Sequence, residues 1–148
     1  MNILCTNKKA TFKYSLLKKF EAGLSLHGWE VKSIKSGHGQ ISESYITIKN
    51  NEAFLVNAHL KILSTTSDSS KINSKRARKL LLNKREIINL ANEVKRNGHS
   101  LIPIKIYSKN SLIKLELAIG KGKKAHDKRA DIKKREWERN KDRILKKK

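Results

Sequence analysis

The side chains able to do chemistry are thinly and unevenly spread along this chain. Its five histidines (His27, His38, His59, His99 and His126) stand far apart, with no metal-ligand spacing between them. The single cysteine, Cys5, excludes an internal disulfide and a cysteine-rich metal site. Before residue 121 there are only 8 acids, 13 in the whole chain less 5 in the last stretch, so paired carboxylates for acid–base work are scarce. Gly120-Lys121-Gly122-Lys123 follows a strand pattern but lacks the frame of a phosphate-cradling loop. These absences point to a binding protein, not an enzyme, with no metal and no cofactor.

Positive charge is what the chain has in excess. Its 148 residues carry a formal net charge of +22. A surplus that large speaks of partners, and the common partner is nucleic acid, through phosphate neutralisation and counterion release. The charge is concentrated at the end. Lys121–Lys148 holds 14 Lys/Arg against 5 Asp/Glu. Such a stretch cannot bury enough apolar surface to fold alone, yet it is rich in helix formers. Asp131/Arg135 and Lys134/Glu138 are opposite charges four apart, and Ala130, Trp137 and Ile144 recur every seven residues as a thin apolar seam. The pattern is that of a helix awaiting a polyanionic surface, with a solvated basic tail as the alternative. Trp137, a large aromatic in a charged tail, marks a contact with a partner. A second basic cluster is Arg76-Ala77-Arg78-Lys79. Tyr107 is either a base-stacking aromatic or a half-buried strand residue. Glu30 either meets a base or sugar edge or offsets Lys32.

Elements must position these groups. Phe12, Tyr14 and Leu16 alternate, as do Leu24 and Leu26, which predicts a long bent strand interrupted near Lys18-Lys19. Trp29–Lys35 is a short helix that stops at Gly37. Tyr45–Ile48 and Ala53–Val56 flank Asn50-Asn51 as a β-hairpin. Leu63–Lys75 has no period and reads as a long surface loop. Asn83, with Glu86 three residues on, opens a helix. Ile87, Leu90, Ala91 and Val94 form its stripe, and Asn97-Gly98 closes it. Leu101–Tyr107 is a strand whose Pro103 implies an edge or a bulge. After a turn at Lys109-Asn110, Leu112–Ile119 alternates cleanly as the best strand. The expected fold is mainly β: a small barrel of about six antiparallel strands with two to three flanking helices over residues 1–119, then a basic tail over 120–148. No apolar run reaches the length needed to span a bilayer, and the amino terminus has the wrong order for a secretory signal, so a cytoplasmic protein is expected.

Several blocks together carry a resemblance. Phe20-Glu21-Ala22-Gly23-Leu24 with Gly28-Trp29-Glu30-Val31-Lys32-Ser33 resembles the signature of small protein B, the family that binds transfer-messenger RNA in bacteria. Ser44-Tyr45 with Val56-Asn57-Ala58-His59 is similar to its next block. Arg78–Ile87 is similar to another, and Gly122-Lys123-Lys124-Ala125-His126-Asp127-Lys128-Arg129 to its most recognisable motif. The blocks run in family order from about Asn7 to Lys146. The chain departs from familiar forms at Ser36-Gly37-His38-Gly39-Gln40, where members often have Ala-Gly-Lys-Ala-Asn, and at Leu145, where the tail often has Met.

The resemblance implies an oligonucleotide-binding-type barrel and a tail that becomes helical when bound. It implies a role in trans-translation: transfer-messenger RNA is held by the body and delivered, with elongation factor Tu attached through the RNA, to a ribosome stalled on a broken message. Carried over by position, the RNA face comprises Glu30, Leu81, Asn83, Gly122, Lys123 and Lys124. Contact with the decoding site falls to His126, supported by Asp127, Lys128 and Arg129. Tail function rests on Trp137, Ile144, Leu145 and Lys146, in the empty message channel of the small subunit. The expected protein is a monomer with no membrane partner. The alternative is a general RNA chaperone or ribosomal protein with a basic anchoring tail.

Overall fold

Alternation along the best strand organises the molecule. In a computed structural model of the chain, which describes residues 2–63, 73–122, 129 and 132–139, that strand runs Leu112–Gly122. Ile113, Leu115, Leu117 and Ile119 are buried, while Lys114 and Glu116 keep partial exposure. The period-2 pattern therefore becomes a core face and an outer face.

In chain order the elements are β1 (Asn2–Thr6), α1 (Ala10–Lys13), β2 (Tyr14–Leu24), α2 (Gly28–Lys35), β3 (Gly39–Gln40), β4 (Tyr45–Lys49), β5 (Glu52–Val56), β6 (His59–Leu60), β7 (Arg78–Leu81), α3 (Lys84–Asn97), β8 (Ser100–Lys109) and β9 (Leu112–Gly122). Residues 132–139 form a further helix in the tail. Seven strands make one antiparallel sheet in the order β1-β8-β9-β2-β7-β5-β4, and β3 pairs with β6 in a separate ribbon.

The architecture is mainly β with flanking helices, as expected. Its sheet is not a closed barrel. β4 returns close to β8, yet among the described residues no ladder joins the edge strands β1 and β4. Two strands of the main sheet, and both short strands of the β3–β6 ribbon, lay outside the expected set. β1 is a short, largely exposed edge whose sequence gives little periodicity. β7 was masked by the basic character of Arg78 and Lys79.

Local chemistry explains most turns. Asn50 and Asn51 (φ 53° and 60°) join β4 to β5. Asn110 and Ser111 (φ 51° and 65°) join β8 to β9. Successive left-handed residues give the twist that a tight hairpin needs. The interruption near Lys18 is a register shift between Leu16 and Lys18 against β9. Pro103 takes the bulge alternative, since β8 lies inside the sheet and its register shifts between Pro103 and Lys105. Only Ile87 and Leu90 of the α3 stripe are buried; Val94 stays exposed. The buried cluster joins Ala22, Ile34, Ile46, Leu55, Leu80, Leu90, Leu101 and Leu115 from both halves of the chain. Of the expected loop Leu63–Lys75, residues 64–72 lie outside the described residues. Its ends meet where Leu60 N–H donates to the Ser74 carbonyl.

Candidate nucleic-acid interface

β7 is four residues long, and four separated blocks of the sequence converge on it. Its alternation buries Arg78 and Leu80 and exposes Lys79 and Leu81. On one side it pairs with β2, Gly23 opposite Leu81. On the other it pairs with β5, Leu55 opposite Arg78. Beneath it sits α2. After it, Asn83 caps α3.

An inward-facing arginine needs partners, and all of them are present. Arg78 is fully buried. Its Nε donates to Glu30 Oε2 at 2.5 Å, Nη1 to the Ala58 carbonyl at 2.5 Å and Nη2 to the Ser74 carbonyl at 2.9 Å. Glu30 is equally buried and equally committed. Its Oε1 accepts from Arg76 Nη2 at 2.5 Å and from the His27 backbone N–H at 2.7 Å. Burial alone would raise the Glu30 carboxyl pKa. Hydrogen bonds from the His27 amide, Arg76 and Arg78 outweigh burial and hold it below the ordinary glutamate value. Glu30 therefore stays ionised. Its partners are Arg76 and Arg78, 46 and 48 residues away, and neither of the alternatives that short-range spacing suggested.

The other expected RNA-face residues are distributed as follows. Leu81 projects from β7 with 57% of its surface exposed, an apolar contact beside the exposed Lys79. Asn83 is exposed, and its Oδ1 accepts from the Glu86 N–H at 2.9 Å while Glu86 returns the bond to the Asn83 N–H. The Asn83–Glu86 spacing read from the sequence thus closes as a capping box in both directions. With its oxygen committed, Asn83 offers a partner its amide NH2. Gly122 is exposed at the end of β9, opposite Tyr14, with open space where a Cβ would point.

In the tail, Arg129 is helical and exposed, and Trp137 is 63% exposed on the helix 132–139. Arg135 places its guanidinium 5.4 Å from the centre of the Phe12 ring, beside α1. Lys123, Lys124, His126, Asp127, Lys128, Ala130, Asp131, Ile144, Leu145 and Lys146 lie outside the described residues. Tyr107 is a core residue: 3% exposed, with its hydroxyl donating to Glu21. Burial first, and then this bond to a carboxylate, push the phenol well above its usual pKa. It has no face free for a base.

Sequence reasoning noted Arg76 and Arg78 as part of a basic cluster and missed their pairing with Glu30. The available signal was a lone acid in one basic segment and a paired Arg-x-Arg in another. Nothing local links them. No helix among the described residues is long and apolar enough to cross a membrane.

Comparison with known proteins agrees across sequence and structure. A family model described as SmpB protein matches residues 4–147. An SsrA-binding protein of Psychrobacter cryohalolentis is 49% identical over 146 residues, 99% of this chain and 92% of that protein. One from Coxiella burnetii is 48% identical over 143 residues, 97% of this chain and 90% of its own length. A solved structure described as "tmRNA-SmpB: a journey to the center of the bacterial ribosome" matches with a TM-score of 0.68 and 33% identity, covering 84% of this chain and 87% of that one.

Proposed function

Because the chain belongs to the SmpB family, we propose that it binds transfer-messenger RNA and delivers it to stalled ribosomes for trans-translation. It acts by binding and not by catalysis. The observation that carries the RNA-binding half is the convergence on β7: Gly23, Glu30, Ala58 and Arg78–Asn83, distant in sequence, meet around one short strand. That strand presents Lys79 and Leu81 to solvent, flanked by Arg76 and Asn83. A cationic rim with an exposed apolar residue and amide donors suits a folded RNA, whose backbone gives affinity and whose unpaired bases give contact surface.

Leu81, Asn83, Gly122, Lys123 and Lys124 form the RNA-contacting face. Glu30 serves that face from inside, since both of its oxygens are occupied. His126, with Asp127, Lys128 and Arg129, meets the decoding centre. The tail enters the empty message channel as a helix and acts through Trp137, Ile144, Leu145 and Lys146, and its presence there triggers accommodation. Support for the ribosomal half is the likeness to the tmRNA-SmpB structure. Elongation factor Tu is a partner through the RNA alone, and the protein works as a cytoplasmic monomer.

The deciding experiment is a gel shift with transfer-messenger RNA against an ordinary transfer RNA. Preferential binding of the former is expected. Equal binding of both would demote the protein to a generic basic RNA binder.

A further inference from the structure

Among the described residues, the Glu30 cluster is not electrically balanced. One carboxylate is shared by two guanidiniums, so a positive charge is left over. The surplus cannot reside usefully on Arg78, which is 0% exposed and donates from Nε, Nη1 and Nη2 to protein oxygens. It resides on Arg76, whose side chain is 29% exposed. Arg76 is held firmly for a surface residue. Its Nη2 bonds Glu30, its Nη1 bonds the Ala77 carbonyl at 3.1 Å, and its backbone N–H donates to the Asn73 carbonyl at 3.3 Å. Among the described residues, two of its five N–H donors find an acceptor. The Nε is buried without a hydrogen-bond partner among the described residues.

A guanidinium in this condition is an incomplete site for an anion. A planar fork held at Nη2 by a buried carboxylate and at Nη1 by the Ala77 carbonyl has lost much of the freedom that makes exposed arginines weak partners. The N–H groups still unused on Nη1 and Nη2 can meet phosphodiester oxygens, while the buried Nε cannot, and a charge-assisted bond of that kind is among the strongest that a surface offers. Lys75 and Lys79 flank it in sequence, both exposed, and add to the local positive field. Lys79 is partly offset by Glu52 at 3.3 Å, whereas among the described residues Arg76's one acidic partner is already shared with Arg78.

We propose that Arg76 is a binding site for an RNA backbone phosphate and that Glu30 is its positioning residue. This rests on the RNA-binding role proposed above and changes how Glu30 takes part in it. Loss of Glu30 impairs RNA binding because it releases Arg76, not because a contact to the RNA is lost.

The test measures affinity for transfer-messenger RNA as a function of salt. Arg76→Gln keeps a donor for Glu30 Oε1 and removes the charge. It is expected to lower affinity about tenfold at physiological ionic strength and to reduce the log–log salt slope by about one. Arg76→Lys, which keeps the charge without the fork, retains the slope and recovers only part of the affinity. Glu30→Gln weakens binding in the wild-type background and costs nothing further in Arg76→Gln. Far-UV circular dichroism and urea unfolding establish that each variant is folded. Should Glu30→Gln fail to fold, the two Arg76 variants decide the phosphate site alone. Unchanged affinity and slope in folded Arg76→Gln would overturn the proposal, and an additive loss from Glu30→Gln would overturn the positioning role. If the wild type binds transfer RNA and transfer-messenger RNA equally, the rescue function fails, while the slope change on either RNA still reports on Arg76.

Discussion

Arg78 Nε lies 2.5 Å from Glu30 Oε2 across 48 residues of sequence, and neither side chain has any exposed surface. A buried ion pair is expensive to desolvate and is tolerated only where every remaining donor and acceptor is met. Here the other bonds go to Ala58, Ser74, His27 and Arg76. The pair thus ties α2, the β5–β6 connection, the 73–76 segment and β7 together beneath the exposed face of β7.

Acid should loosen this tie. The folded-state pKa of Glu30 is depressed below its reference value of 4.5, so the stability it contributes is present above that pH and lost as pH falls through the folded value. Unfolding free energy from urea titrations should hold steady at neutral pH and decline below about pH 4.5. Glu30→Gln should be less stable at neutral pH and show a shallower acid decline. A variant that tracks the wild-type acid profile would assign that decline to other carboxylates.

Two neighbouring glycines should behave oppositely. A Cβ on Gly120 would lie 2.1 Å from Ile102 Cδ1 and 3.1 Å from Tyr14 Cβ, inside the β2–β9–β8 sheet, whereas one on Gly122 meets nothing within 4 Å. Gly120→Ala should cost about 1–3 kcal/mol through overpacking. Gly122→Ala should change stability by less than about 0.5 kcal/mol. Any loss of RNA binding in folded Gly122→Ala then reports on the RNA face itself. Thermal unfolding with parallel gel shifts separates the two effects.

Asn83 has two duties that substitution can pull apart. Its side-chain oxygen caps α3, and its amide NH2 is the group that the proposed RNA face would use. Asn83→Ala should lose about 1 kcal/mol of stability with the cap. Asn83→Ser keeps a capping oxygen, so its stability should stay near wild type while RNA affinity falls by about 1–2 kcal/mol, the value of a directed hydrogen bond. Full affinity in Asn83→Ser would remove Asn83 from the interface.

The tail should depend on order as well as charge. Scrambling Asp131–Lys148 at fixed composition keeps every lysine and arginine but displaces Trp137 and Ile144-Leu145-Lys146. Transfer-messenger RNA binding should be spared and peptide tagging on stalled ribosomes abolished. Tagging by the scrambled protein would reduce the tail to an electrostatic anchor.

The sequence by itself determined whatever depends on near neighbours. The Asn50-Asn51 turn, the Asn83–Glu86 box, the Gly98 stop and the alternation of β9 each follow from residues a few positions apart. Each was found where it was expected. The bulge near Lys18 was legible for the same reason, as a break in alternation. Composition also announced an anionic partner, and the order of separated blocks pointed to the family. Only tertiary structure decided what happens between those blocks. It turned Tyr107 into the core, made a strand of the basic Arg78–Leu81 segment, and buried Glu30 between two arginines that no local pattern associates with it. The reason is physical. Turns and caps are satisfied within one or two peptide units, whereas a buried charge must find its counter-charge wherever the sheet brings one. That pairing is a property of strand order, and strand order is not written in any single stretch of the chain.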